Sequence, residues 1–389
     1  MNRLSTRKIS SRSASDMTLL EKLSRISFGY VFIILLLAAI GFCTLYSASN
    51  SSMDPFVAKQ IPRFFFGLAC MFAVMMVDIR FLMKYSFLFY FGALALLLAV
   101  YFLGHTGMGA TRWLNLKFFM LQPSELMRIA LLLVLARYFH AASVSDTQST
   151  TFMIIPSLMV AVPVALILKQ PDLGTALLIV FCALVIFFMA GVQLWKFALG
   201  GIAALLSLPV IWHFLHDYQK NRVLTFLNPE RDPLGSGYHI IQSKITLGSG
   251  GVFGKGFLQG TQSHLNFLPE KHTDFIFTVL AEEWGLVGSL ILLGLYILLI
   301  IYGFFIAANT THYFGKFLAV GLTMNLFFYV FINISMVMGL VPVVGVPLPL
   351  ISYGGTSLIT LMFTFGLLQN VWIHRDVPLG RKNAYDDFV

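Results

Sequence analysis

Asp274 stands where a long polar stretch gives way to a long apolar run, at the end of Glu270-Lys271-His272-Thr273-Asp274. A carboxylate at such a border could serve as a general base, because partial desolvation raises its proton affinity toward neutral pH. Asp and Thr also cap helix N-termini routinely, so a plain structural role stands beside the chemical one. Glu125 and Arg128, three residues apart, share one helix face inside another apolar run. Ionisable groups there read either as functional or as a structural ion pair. Arg112 has the planar guanidinium that binds phosphate through two hydrogen bonds, and its neighbour Trp113 reads as an interfacial anchor. Lys117, Lys169 and Lys271 are further cations in polar stretches. Asp172 follows Pro171 at a helix start, where a cap is the default. On an ideal helix Glu282 lies about 80° from Asp274 and Glu283 about opposite it. Glu282 is thus the better site neighbour, and Glu283 the better ion-pair partner for another span.

Several other chemistries find no support. Gly248-Ser249-Gly250-Gly251-Val252-Phe253-Gly254 is neither a dinucleotide fingerprint nor a P-loop and reads as turns. His272 has no partner at metal-ligand spacing, so no dedicated metal site is expected. No GxSxG or HExxH occurs, which argues against a serine hydrolase or zinc protease. Cys43, Cys70 and Cys182 all lie in apolar runs and read as small hydrophobes.

The elements that must position these residues are membrane spans. Of 389 residues, 58% are hydrophobic and only 11% charged, where a soluble domain carries about a quarter charged. The mean hydropathy of +0.82 names lipid as the main solvent. Apolar runs of about twenty residues fall near 28–48, 62–78, 85–103, 124–140, 152–168, 173–190, 194–215, 274–307, 315–340 and 352–373. The reading is an all-α polytopic protein with ten transmembrane helices and a large outer loop, 216–273, between spans seven and eight. Residues 1–25 form a basic tail, 26–375 one membrane domain and 376–389 a second tail. The run from Phe28 to Ala48 is long enough to be a retained span rather than a signal peptide. The long loop holds eight glycines between Gly235 and Gly260 and an amphipathic stretch from Tyr238 to Leu247, which predicts an ordered loop with a surface helix.

The net charge of +9 sits in membrane-flanking segments, which favours topology and anionic lipids over nucleic acid as its explanation. Placing the N-terminus inside puts Arg3, Arg7, Lys8, Arg12, Lys22 and Arg25 there, along with Arg80, Lys84, Arg137, Lys196, Lys316, Arg375, Arg381 and Lys382. The short outer loops then carry few cations, and both termini are cytoplasmic. Even-numbered spans point their N-termini, the positive ends of their dipoles, outward. Polar motifs decorate those ends: Gln122-Pro123-Ser124-Glu125, Lys169-Gln170-Pro171-Asp172, the segment ending at Asp274, and Pro347 to Gly355 with Ser352 inside it. With Arg112, Lys117, Lys169 and Lys271 they could form an outward-facing site for a phosphate or pyrophosphate.

At these residues the sequence resembles the shape, elongation, division and sporulation family. The resemblance is carried by Gln122 to Leu126, Lys169 to Thr175, Phe267 to Phe277 and Val341 to Gly355, in that order. It extends from about residue 25 to 375 and is nearer the cell-elongation branch than the division branch. It implies a ten-span bundle that polymerises lipid II into β-1,4-linked glycan with a class B penicillin-binding protein, among other elongation-complex membrane proteins of the bacterial inner membrane. Asp274 matches the essential aspartate of the family and Glu125 its fourth-span glutamate. Arg128 stands where lysine is common, which keeps the charge but not the geometry. Arg112, Lys117, Lys169, Lys271, Arg128 and Ser352 are the substrate-binding candidates, and a divalent cation could share the phosphate. A lipid II flippase and a non-catalytic scaffold are the alternatives. A flippase should also line its midplane and inner half, where no comparable polar cluster occurs.

Overall fold

The structure, a computed structural model, describes residues 17–107, 110–115, 120–170, 172–214, 217–232, 235–264 and 270–380. Lys117 and part of the Phe267 to Phe277 motif lie outside these residues. Ten helices occupy the ten expected places. They are α1 Phe28–Ala48, α2 Phe56–Met76, α3 Ser86–Leu103, α4 Pro123–Ala141 and α5 Thr150–Lys169, followed by α6 Leu173–Met189, α7 Leu194–Phe214, α8 Ile276–Ala308, α9 Tyr313–Val337 and α10 Thr356–Ile373. Seven of them are long and apolar enough to cross a membrane by themselves. Of the others, α4 carries Glu125, Arg128 and Arg137, and α6 and α7 have shorter apolar stretches.

Lipid separates these helices into two kinds. α4, α9 and α10 are buried along most of their length, whereas α3 and α5 leave one apolar face outward. α10 packs along α2, α9 lies against α4, α6 and α8, and α3 lies against α4. Polar side chains join the central helices, as expected where lipid cannot hydrogen-bond. Asn370 Nδ2, for example, donates to the carbonyls of Val74 at 2.9 Å and Val77 at 2.6 Å, closing the end of α2.

Three features were not foreseen. A small antiparallel sheet, β1 His105–Gly107, β2 Ala110–Asn115 and β3 Met120–Leu121 in the order β1-β2-β3, joins α3 to α4. The second span begins at Phe56, with Lys59, Pro62 and Arg63 inside it. Those residues lower the local hydropathy and moved the expected start inward. The long loop contains the expected surface helix, Ser236–Ser249, and a second one, Asp217–Leu227.

A break also interrupts α8. Gly285 adopts φ 66° and ψ −160°, a conformation closed to L side chains. Residues 251–256 of the long loop fill the gap. Lys255 and Gly256 N–H donate to the carbonyls of Glu282 and Glu283, both at 3.0 Å, and Leu286 N–H donates to Gly251 at 3.0 Å. Irregular backbone in a membrane helix persists where protein supplies its hydrogen bonds, and this loop does so. Glu282 is sealed into the same joint, 2.7 Å from Lys255 Nζ and 2.9 Å from Gln262 N–H. It serves the loop rather than neighbouring Asp274. Glu283 accepts a hydrogen bond from Ser47 on α1, which ties it to another span.

Candidate active site

The segment preceding α8 is fixed from three sides. Tyr353 N–H donates to His272 O at 2.8 Å, and Ser352 Oγ donates to Thr273 O at 2.6 Å. Asn333 on α9 donates to Asp274 O at 2.9 Å and to Val346 O at 2.7 Å. The Phe56 ring of α2 stacks on His272 at 3.9 Å. Asp274 itself does not cap α8. The capping position is Phe275, without a side-chain hydrogen bond, and Thr273 Oγ1 turns back to Glu270 Oε2 at 2.8 Å. The carboxylate is therefore not spent on the helix.

Gly345, at φ 75°, brings the loop before α10 up to this carboxylate, and a Cβ there would stand 3.3 Å from Asp274 Oδ2. Burial raises the Asp274 pKa to about 6, the negative charge of Glu270 adds to the rise, and Arg222 opposes it. Asp274 is thus ionised at neutral pH yet a stronger base than an ordinary aspartate.

Glu125 and Arg128 form a buried ion pair at 2.6 Å. Tyr329 OH from α9 donates to Glu125 Oε1 at 2.6 Å, and Thr360 Oγ1 from α10 to Oε2 at 3.2 Å. The guanidinium lies over the Tyr329 ring at 4.4 Å. The pair knits α4, α9 and α10 together. It also borders a cavity of about 20 Å³ lined in part by Ser352, roughly room for one water. Ser352 thus faces both the ion pair's cavity and the Asp274 segment. Its hydroxyl is held by backbone on both sides, since it accepts from Leu348 N–H at 2.7 Å as well.

The other expected residues are placed as follows. Asp172 caps α6, accepting from Thr175 N–H at 3.3 Å and Oγ1 at 2.9 Å. Arg112 Nη1 lies 3.7 Å from that carboxylate and its Nε 3.5 Å from Gln170 O. Lys169 is exposed at the end of α5. Lys271 is buried, which lowers its pKa, and it donates to Asn50 Oδ1 at 3.3 Å. The structure brings Asp274, Ser352, Glu125 and Arg128 into one connected region. Arg112 joins a separate apolar cavity of about 470 Å³ that Arg222 also lines. Among the described residues no group of three or more His, Cys, Asp or Glu is placed to hold a metal ion.

Sequence reasoning missed Arg222, Asn333 and Gly345. Asn333 carried a usable signal, an amide inside an apolar span. Arg222 lay within the long loop, outside every polar motif at a span's end. Gly345 shows its purpose only when its distant neighbour Asp274 is in view.

A family model described as cell cycle protein, covering FtsW, RodA and SpoVE, matches residues 28–376. The chain belongs to the FtsW/RodA/SpoVE family. Among FtsW/RodA/SpoVE relatives, peptidoglycan glycosyltransferase MrdB of Escherichia coli K12 is 46% identical over 348 residues, which span 88% of this chain and 93% of that one. MrdB of Helicobacter pylori is 38% identical over 353 residues, 89% of each chain. A chain from a peptidoglycan synthase complex that coordinates polymerization and crosslinking superposes with a TM-score of 0.79 at 34% identity, covering 91% of this chain and 99% of that one. The Rod shape determining protein RodA of Thermus thermophilus gives 0.68 at 30% identity, covering 90% and 98%. With its apolar helices, this membership makes the chain a multi-pass membrane protein.

Proposed function

We propose that this chain is a peptidoglycan glycosyltransferase that polymerises lipid II at the outer face of the cytoplasmic membrane during cell elongation. The observation that carries the reading is Asp274, a carboxylate with its pKa near 6, free of capping duty and held at the end of the bundle by Asn333 and the Ser352 segment. The names of the relatives point to the same chemistry.

Asp274 takes the proton of the acceptor sugar's 4-hydroxyl. That oxygen attacks the anomeric carbon of the donor from the face opposite the pyrophosphate. The bond to the leaving oxygen breaks, its electron pair stays on the lipid pyrophosphate, and the inverted carbon forms a β-1,4 link. Negative charge grows on phosphate oxygens, where cationic side chains and helix N-termini at the loop end stabilise it. A divalent cation would supply further charge stabilisation there. In this reading the loop end faces outward, both termini are cytoplasmic, and a class B penicillin-binding protein is the partner. The neighbour drawn from a synthase complex supports that last point.

The test is polymer formation from labelled lipid II by the chain purified with its partner, wild type against Asp274→Asn, both checked for folding and partner binding. Polymer from the wild type and none from the variant is expected. Equal polymer from both would remove Asp274 from the mechanism. None from either, beside an active control enzyme, would overturn the glycosyltransferase reading.

A further inference from the structure

A second cavity, of about 380 Å³, lies toward the end of the bundle away from Asp274. Four helices build it: Phe181 and Phe188 from α6, Phe197 from α7, Phe304 from α8, and Val320 and Phe328 from α9. Every side chain that lines it is apolar. Its volume falls in the range of ordinary ligand sites, about 300–1,000 Å³. Phe188 and Phe304 are exposed, so the cavity opens sideways onto lipid. Its α7 wall is loosely packed, with open space beside Gly200 and Gly201.

Two cations stand at one end of this cavity. Lys316 is one turn before Val320, on the same face of α9. Lys196 immediately precedes Phe197 on α7. Lys196 Nζ donates to Gln148 O at 2.7 Å, which leaves two of its three N–H groups. Lys316 Nζ lies 5.7 Å from the Tyr313 ring centre. Among the described residues neither lysine pairs with a carboxylate. Asp146, the acid closest to Gln148 in sequence, accepts from Ser143 N–H at 2.9 Å and Oγ at 2.7 Å instead. Hydrocarbon walls open to lipid, with two ammonium groups at the polar end, complement an amphiphile with an acyl chain and an anionic head.

We propose that an anionic phospholipid of the adjoining leaflet places one acyl chain in this cavity and its phosphate between Lys196 and Lys316. In the orientation proposed above that leaflet is the cytoplasmic one, whose surface is negatively charged. The site takes no part in the transfer chemistry and does not depend on that reading. The acyl chain fills the gap between α7 and the α6–α9 wall and so holds α7 to the bundle. Phe181 and Phe328, with ring centres 5.4 Å apart, line both this cavity and the one that Arg112 and Arg222 border. The lipid therefore backs the floor of that other cavity as well.

The experiment delipidates the full chain in detergent and measures binding of dioleoyl phosphatidylglycerol and dioleoyl phosphatidylcholine by native mass spectrometry. Wild type is compared with the double variant Lys196→Gln, Lys316→Gln and with Leu184→Trp, all three checked by circular dichroism. Leu184 lines the cavity and is exposed to lipid, so Trp there fills the opening without disturbing the core. Wild type should prefer phosphatidylglycerol on the order of ten- to thirtyfold, the sum of two lysines near one phosphate. The double variant should lose that preference and keep the phosphatidylcholine binding, whereas Leu184→Trp should weaken both lipids. Phosphatidylglycerol should raise the unfolding midpoint of wild type and of neither variant. A wild type without preference, a preference that survives in the double variant, or unchanged binding in Leu184→Trp would overturn the proposal. So would glycerol phosphate displacing the lipid at equal concentration, since the apolar cavity would then add nothing.

Discussion

Ser352 Oγ donates to the Thr273 carbonyl at 2.6 Å, one residue before the proposed base. The same oxygen accepts from Leu348 N–H at 2.7 Å, so one hydroxyl aligns the loop before α10 with the start of α8. Ser352→Ala leaves both backbone groups unpaired, at a cost of about 1–3 kcal/mol. Polymer formation should fall while partner binding holds, and Ser352→Thr should recover part of it. Steady-state rates on lipid II, read with a pull-down of the partner, check this.

The pH profile follows from Asp274. Below its pKa of about 6 the carboxyl holds a proton and cannot accept another. The acidic limb of kcat/KM should therefore bend near pH 6 and fall about tenfold per unit below it. A limb near pH 4 would show that the working base is an ordinary carboxylate.

Asp274→Asn should stabilise the fold as it abolishes polymer. Asp274 binds its proton more tightly when folded, with a pKa of about 6 against 3.8. Between those values the folded state holds more proton than the unfolded one, so the Asp274 contribution to stability shrinks as pH rises from 3.8 to 6. At pH 7.5 the buried charge leaves a cost on the order of 1–3 kcal/mol that Asn escapes. Thermal unfolding in detergent at pH 7.5 should show a higher midpoint for the variant, with the gap narrowing toward pH 4.

Arg128→Ala strands Glu125 without its cation among α4, α9 and α10. Breaking one side of a buried pair costs about 3–5 kcal/mol. A double replacement, Glu125→Gln with Arg128→Met, should be milder than Arg128→Ala alone because no bare charge remains. Unfolding midpoints of the two proteins in one detergent decide the order.

Gly285→Ala places a side chain at φ 66°, with its Cβ 2.3 Å from Gly254 N. The joint between the long loop and α8 should open. Limited proteolysis should then cut the segment around Gly254 far faster than in the wild type.

Hydropathy made the ten helices and the long loop legible, because each span must satisfy lipid along its own length. The helical period alone paired Glu125 with Arg128. β1 to β3 escaped notice because three short strands in a polar connection leave no periodic signature. The position of the break, Gly285, escaped because a glycine in an apolar run looks ordinary until the loop segment beside it is seen. At Asp274 the sequence offered both a cap and a base. What separates them is that Thr273 turns back to Glu270 and that Asn333, 59 positions further on, holds the Asp274 carbonyl, a long-range contact no local pattern reveals.

The break at Gly285 divides α8 into two rods. The shorter, Ile276 to Trp284, begins two residues after Asp274 and is held by Lys255 and Gly256 of the long loop, while the longer, from Leu286, is held by Gly251 and Val252 of the same loop. The loop therefore bridges the two rods, and Asn333 of α9 holds the Asp274 carbonyl at the outer end of the shorter one. The loop is thus a splint across the break in the helix that starts beside the base.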